Sequence, residues 1–347
     1  MVTLKDIAKE TGLNFRSVSQ ALHGHGRYSA ETRQRVQQAA ERLGYRPNAI
    51  ARSMAKGRTY SIGIIVPTFT GDSYEHMLHG IESAMGDAYT LLLGVSEYDG
   101  MKERKLLHSF RQRMVDGLIV VHAGCEENLD VMKELLHHGV PIVQADRFYG
   151  ELQTDVVGPD DEALGFMLTE HFIQLGHRNI FFLRSSIVNS STLGRAAGYE
   201  RAMREHRLTP ELFPDQPVAA GQDRIKFSYA LAKQLLDESE MPLAVVTHDI
   251  SIAFGVLEAA REMGLQDSKD LAIGTVANAS DNPLYKFLPS NVTLAVWSVR
   301  DMGYHAGNLL LRRLDQPEKP AAQFQTVRIP CQLVTKAFNS TLQPLGG

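Results

Sequence analysis

Residues 2–24, VTLKDIAKETGLNFRSVSQALHG, decide how the rest of the chain is read. Thr3, followed three residues later by Asp6, forms a capping-box pattern and opens a short helix with Leu4, Ile7 and Ala8 on one face. Gly12 ends that helix. Asn14 caps a second, in which Val18, Ala21 and Leu22 repeat at i, i+3, i+4. Ser29 starts a third with Val36, Ala39, Ala40 and Leu43 inward, closed by Gly44 and by Pro47 shortly after. Three short helices with a Gly-containing turn between the first two predict a helix-turn-helix.

A projection at about 100° per residue, from the 3.6-residue turn, orients the second helix. With Val18, Ala21 and Leu22 toward the core, Arg16, Gln20 and His23 point away from it, and Phe15 and Ser19 lie on the flanks. Arg pairs bidentately with guanine and Gln with adenine in the major groove, and Phe touches a thymine methyl. On an ordinary wet surface the same residues would be unremarked polar positions. The charge around them argues for the first reading. Residues 1–60 carry eleven Lys/Arg against four Asp/Glu, or +7, in a chain whose net charge is −4, so the remainder carries −11. A basic head on an acidic body is the pattern of a nucleic-acid module joined to a separate domain.

Residues 45–60, YRPNAIARSMAKGRTY, make a basic connector. Its helical stretch is only about two turns, marginal alone in water, and Met54 is an apolar residue amid Arg52, Lys56 and Arg58. The segment reads as one that folds against DNA, wedging Met54 between base steps of the minor groove.

The run from Val2 to Gly24, with YSAETRQRVQQAAERLGYRPNAIARSMAKGRTYSIGIIVP after it, resembles the N-terminus of the LacI/GalR family of bacterial transcriptional repressors. The likeness is dense over the head and connector and sparser through the body to about residue 335. It implies that Phe15, Arg16 and Gln20 read bases, and that Ala51 and Met54 lie on a hinge helix in the central minor groove. Gln20 stands where that family commonly has Arg, and Met54 where it usually has Leu.

From residue 60 onward strand-like runs alternate with helical patterns. The strands are expected at Ser61–Val66, Thr90–Val95, Gly117–Val121, Pro141–Ala145, Ile180–Leu183, Leu243–Thr247, Leu271–Val276, Val292–Val296 and Thr326–Pro330. Helices are expected between most of them, at Glu75–Met85, Lys102–Met114, Glu162–Leu175 and Ser228–Glu238. Such alternation predicts parallel sheets with crossover helices, and its length fits two Rossmann-like lobes around a cleft. The expected fold class is therefore a small all-α helix-turn-helix domain (1–46), joined by a hinge helix and linker (47–60) to an α/β domain (61–340) and a tail (341–347). The resemblance makes that domain periplasmic-binding-protein-like, of type I. It implies three crossings between lobes, with lobe 1 at about 61–160 plus 292–323 and lobe 2 at about 161–291 plus 324–340. VDGLIVV, GVPIVQADR, QLGHRNIFFL and GRAAGYERAM carry it.

The same resemblance points to Tyr74, Asp146, Arg195, His248 and Trp297 as effector-cleft positions. Two departures bear on the ligand. GTVANASDN puts Ala277 and Asn278 where acids are usual, and Val296 and Trp297 replace a basic-then-Gln pair. With fewer carboxylates, an Arg195 able to grip an anion and an indole face for stacking, the expected effector has an anionic or acceptor-rich end.

The composition is that of an ordinary folded chain, with 44% hydrophobic and 22% charged residues among 347. No apolar run approaches the length of a membrane span, and MVTLKDIAKETG lacks the basic-then-apolar run expected of a secretory signal. Only two cysteines occur, Cys125 and Cys331, outside any CxxC pattern, so no disulfide framework or zinc site is expected. No GxSxG, GxxxxGK[ST], HExxH or strand-linked GxGxxG motif is found, and His76/His79 and His137/His138 lack a third clustered ligand. An enzyme and a transport-type binding protein are thus disfavoured. The reading is a cytoplasmic, homodimeric repressor without a cofactor, binding a near-palindromic double-stranded DNA operator under control of a small-molecule effector. An activator, or a regulator answering to a partner protein over a degenerate cleft, is the alternative.

Overall fold

The computed structural model describes residues 2–22, 26, 28–45, 57–69, 73–124, 128–183, 189–213, 224–265, 270–278, 285, 287–289, 291–316 and 324–335. Two compact units result, Met1–Thr59 and Tyr60–Gly347. Ala51, Met54, Lys56, His23 and the tail 341–347, all weighed from the sequence, lie outside the described residues.

In the first unit α1 spans Leu4–Thr11, α2 Phe15–Leu22 and α3 Ala30–Leu43. The Asp6 carboxylate accepts from the Thr3 backbone N–H and hydroxyl, each at 2.8 Å. Those bonds hold the Asp6 carboxyl below its ordinary pKa. Gly12, at φ 67°, takes the left-handed turn that ends α1. Asn14 Oδ1 accepts from Ser17 N at 2.8 Å and Ser29 Oγ from Thr32 N at 3.2 Å, satisfying first-turn amides of α2 and α3. Ile7, Val18, Ala21, Val36, Ala39 and Ala40 close a small core from all three helices.

The second unit contains two six-stranded sheets. The first holds β1 Ser61–Val66, β2 Thr90–Val95, β3 Gly117–Val120, β4 Ile142–Ala145, β5 Asp155–Pro159 and β11 Thr326–Ile329, in the order β11-β5-β4-β3-β1-β2, all parallel. The second holds β6 Ile180–Leu183, β7 Glu211–Phe213, β8 Leu243–Thr247, β9 Leu271–Asn278, β10 Val292–Trp297 and β12 Cys331–Val334, in the order β12-β10-β9-β8-β6-β7. Here only the β10–β12 pair is antiparallel. Both sheets are wound alike, and their central strands, such as GLIV and LAVVT, are buried throughout. That is the demand on a parallel strand covered on both faces.

The covering helices are α4 Ser73–Met85, α5 Gly100–Gln112, α6 Leu129–His137, α7 Asp161–Gln174, α8 Ser190–Glu205, α9 Arg224–Glu238, α10 Ile250–Glu262 and α11 Val299–Asp315. Helix pairs in both lobes pack backbone to backbone. A Cβ on Gly80 would lie 2.0 Å from Arg300 O and one on Gly303 2.0 Å from Met77 O, at the α4–α11 crossing. At the α7–α8 crossing the same holds for Gly165 against Arg195 O and Gly198 against Glu162 O, both at 2.0 Å. Only residues without a side chain permit that approach.

The chain crosses between sheets three times, after Pro159, after Trp297 and after Ile329. The expected lobe boundaries need correction at the last two. Val292–Trp297 pairs with β9 and belongs to lobe 2, while Thr326–Ile329 pairs with β5 and belongs to lobe 1. A strand's own residues do not name its sheet, so neighbouring backbone decides it. Three strands went unanticipated: Asp155–Pro159, Glu211–Phe213 and Cys331–Val334.

Candidate nucleic-acid interface and ligand cleft

On α2 the inward residues Val18 and Ala21 are buried, and Arg16 and Phe15 face solvent, Phe15 at 53% exposed. Gln20 is half-buried, because Tyr28 Oη donates to its Oε1 at 3.0 Å. All three expected base readers therefore sit off the core side of one helix.

In the second unit the expected cleft residues lie beyond the carboxyl ends of parallel strands, where open α/β sheets place ligands. Tyr74 begins α4 after β1, Asp146 follows β4, Arg195 lies on α8 after β6, His248 follows β8, and Trp297 ends β10. The two carboxyl edges meet: Phe148 N, in the loop after β4, donates to Ser190 Oγ at the start of α8, at 3.0 Å.

On the lobe 1 side, Tyr74 Oη donates to Asp146 Oδ2 at 3.1 Å. Burial, with Asp146 beside it, pushes the Tyr74 phenol well above its ordinary pKa, so it remains a donor. Asp146 is a non-glycine residue at φ 63°, a strained conformation of the kind concentrated at binding sites. Next to it Arg147 Nε lies 3.7 Å from Asp146 Oδ2, its Nη1 donates to His122 O at 3.3 Å, and its Cζ sits 5.3 Å from the Tyr98 ring centroid. The Arg147 pKa is held above its ordinary value despite burial, with the Asp146 carboxylate beside it, and the guanidinium stays charged.

On the lobe 2 side, Arg195 is 6% exposed. Its Nε donates to Asp161 Oδ1 at 2.9 Å and its Nη1 to His248 O at 2.7 Å. Burial raises the Asp161 pKa, opposed by the charge and hydrogen bond of Arg195, and the nearby Asp146 adds to the rise. Thr192 Oγ1 stands 3.5 Å from His248 Nε2. Trp297 is 5% exposed, and among the described residues its Nε1 has no hydrogen-bond partner.

Sequence reasoning missed Arg147 and Asp161. Arg147 stands in the quoted string GVPIVQADR, where an Arg straight after an apolar strand and an Asp is the signal. Asp161 reads as a first-turn acid of α7, and nothing local ties it to Arg195, 34 residues on. Also missed was a buried polar network behind the Asp146–Arg147 turn. Glu103 there accepts from Ala123 N at 2.6 Å and Asn128 Nδ2 at 2.8 Å, and Gln144 Oε1 accepts from Tyr149 N at 2.7 Å with His122 Nε2 at 2.8 Å. This network fixes the loop that carries His122, and through it Arg147. Arg195, expected from the sequence to grip an anion, is paired in this structure with Asp161.

Among the described residues no group of three or more His, Cys, Asp or Glu is placed to hold a metal ion, and no helix is long and apolar enough to cross a membrane.

Residues 3–48 match the model of the bacterial regulatory proteins of the lacI family, and residues 169–337 match a periplasmic binding protein-like domain. Catabolite control protein A of Priestia megaterium is 30% identical over 319 residues, 91% of this chain and 93% of that protein. The HTH-type transcriptional repressor PurR of Salmonella paratyphi B is 31% identical over 319 residues, 90% of this chain and 91% of that protein. Among solved structures, the lac repressor dimer bound to operator and the anti-inducer ONPF superposes with a TM-score of 0.80 at 20% identity, covering 96% of this chain and 98% of that one. The head with its outward α2 and the two-lobed body thus mark one lineage: this chain belongs to the LacI family of bacterial transcriptional regulators, and it is a DNA-binding repressor with a periplasmic-binding-protein-like effector domain.

Proposed function

We propose that Phe15, Arg16 and Gln20 read bases in the major groove, and that Ala51 and Met54 enter the minor groove at the centre of the site. Two copies of the chain act together as a homodimer, so the operator is near-palindromic. The protein works where the DNA is, in the cytoplasm on the nucleoid. Ligand controls the affinity through a two-state linkage: it binds one lobe arrangement better than the other, and the arrangements differ in fit to DNA.

For the effector, the observation that carries the reading is charge balance. Two guanidiniums among the described cleft residues already have a carboxylate, Arg147 with Asp146 and Arg195 with Asp161. Two such paired guanidiniums, with the Trp297 indole beside them, suit a hydroxyl-rich, carbohydrate-like ligand better than an anion. Burying an anion there would leave its charge without a counter-ion. Tyr74, Asp146, Arg147, Asp161, Arg195, His248 and Trp297 are the residues assigned to it.

A thermal-shift screen of neutral sugars, sugar acids and sugar phosphates tests this. A ligand at about 100 times its Kd stabilises by roughly 2.7 kcal/mol, a shift the screen resolves. Neutral sugars are expected to stabilise; a response confined to acids or phosphates overturns the charge-balance reading. Selection of bound fragments from random DNA, with and without the stabilising sugar, then tests the operator assignment and the sign of control.

A further inference from the structure

We propose that Tyr28 fixes which edge of the Gln20 amide is offered to DNA, and that it thereby makes α2 read guanine in preference to adenine at the base pair Gln20 faces. The proposal rests on Gln20 as a base-reading residue.

Tyr28 Oη donates to Gln20 Oε1 at 3.0 Å, across the turn between α2 and α3. The tyrosine ring is half-buried and packs against the core of the head. Gly26 lies over both partners: at φ 82°, a Cβ there would stand 2.7 Å from Tyr28 Cε2 and 3.4 Å from Gln20 Oε1. Arg33, on α3, donates from Nη2 to Gly26 O at 3.2 Å. Turn, ring and amide form one packed unit, so a side chain with three free torsions is ordered before DNA arrives. That ordering is no longer a cost of binding.

The chemistry follows from which atom is engaged. A glutamine that reads adenine uses both ends of its amide, donating to N7 and accepting from N6. Here one lone pair of the oxygen already accepts from Tyr28, which holds that oxygen, and the end left fully free is the NH2, which only donates. Guanine presents N7 and O6 side by side, two acceptors and no donor. It matches that end with both acceptors, whereas adenine's N6 donor can use only the second lone pair of an oxygen already engaged by the tyrosine hydroxyl. Tyr28 is thus a positioning residue, acting on DNA through Gln20.

The test uses the full-length chain and its selected operator, with each base pair of the half-site exchanged in turn and affinities read by fluorescence anisotropy. The wild type is expected to prefer guanine over adenine at one position; a preference for adenine there overturns the proposal without any variant. Tyr28→Phe keeps the ring against Gly26 and removes only the hydroxyl, with a thermal melt checking that the head stays folded. It is expected to move the guanine-to-adenine ratio about tenfold toward adenine, or about 1.4 kcal/mol. The position read by Arg16 is expected to stay as it was. In a Gln20→Ala background the same substitution is expected to change nothing further. Gln20→Glu, which keeps an acceptor for Tyr28 but has no NH2, is expected to lose the guanine preference; its retention overturns the proposal even where Tyr28→Phe melts early. If Gln20→Ala abolishes the preference and Tyr28→Phe does not move it, the positioning role fails and Gln20 stands as a reader. If Gln20→Ala leaves every preference intact, both fail. A Tyr28→Phe effect that is equal on all sequences, or that persists without Gln20, makes the tyrosine structural and ends the proposal.

Discussion

Arg195 Nε stands 2.9 Å from Asp161 Oδ1, and each of the two side chains is only 7% exposed. The pair ties the first turn of α7, where the chain has just entered lobe 2, to the middle of α8. A buried pair of this kind matters most when broken, because the survivor is left as an unpaired charge. Arg195→Ala and Asp161→Ala are each expected to cost about 3–5 kcal/mol of stability. Replacing both together is expected to cost less than the two single losses combined. Urea unfolding of the three variants checks this, and strict additivity would show that the pair is not coupled.

The helix crossing beside that pair is equally intolerant. In Gly165→Ala the new methyl meets Arg195 O, a backbone atom that moves only with α8. The expected loss is about 1–3 kcal/mol or more, the range for overpacking. Displacing α8 also shifts the Arg195 guanidinium, so the thermal response to a neutral sugar is expected to shrink as well. Gly303→Ala, at the equivalent crossing in lobe 1, is expected to cost similar stability while leaving the Arg195–Asp161 geometry unchanged. Comparing melts of the two variants with and without ligand separates the effects.

Burial lowers the His122 pKa to about 4. The unfolded chain binds this proton near its ordinary value of 6.5 and the native state does not, so stability falls as pH drops from about 6.5 toward 4. Above that window the contribution is complete. The loss is at most about 1.4 kcal/mol per pH unit from this one group. His122→Gln, which keeps a side-chain N–H for Gln144 and does not titrate, is expected to flatten the slope between pH 4 and 6.5. Denaturant midpoints across that range are the measurement, and an unchanged slope would place the titration elsewhere.

Arg16→Ala is expected to relax preference at a single base pair by about 1–3 kcal/mol. Binding of the wild type is expected to fall steeply with salt, since the head displaces counterions from several phosphates. A flat log–log salt plot would remove the nucleic-acid reading of the basic head.

Trp297 is the single tryptophan of the chain, so its emission reports on one place only. It is buried at the end of β10, and a ligand acceptor reaching its indole N–H is expected to change both intensity and wavelength. Titration with the sugar that raises the melting temperature checks this. No change at saturation would take Trp297 out of the ligand's surroundings.

The head was legible because its signals are local. Thr3 with Asp6, Asn14 and Ser29 mark helix starts, and Gly12 and Gly44 mark ends, all within one or two turns of the residues they govern. The strands of the body were legible for a related reason: SIGIIV and LAVVT are short apolar runs between helical patterns. DVVGP was passed over because its Gly-Pro ending reads as a loop, and three-residue Glu211–Phe213 is too short to show alternation. The sheet that Val292–Trp297 joins depends on β9 beside it, which the run itself does not encode. The site divides the same way. Tyr74, Asp146, Arg195, His248 and Trp297 are candidates named through resemblance, whereas Asp161 and the Glu103–Asn128 and His122–Gln144 contacts join residues 20 or more positions apart.

The three crossings also impose an order in time on synthesis. Lobe 1 lacks its edge strand, Thr326–Ile329, and lobe 2 lacks Cys331–Val334, until almost the whole of the 347-residue chain has left the ribosome. The head, complete by Leu43, has no such wait. A nascent chain therefore carries its three-helix head well before either lobe can close its sheet, and polypeptides released early would be heads without the lobes that a ligand response requires.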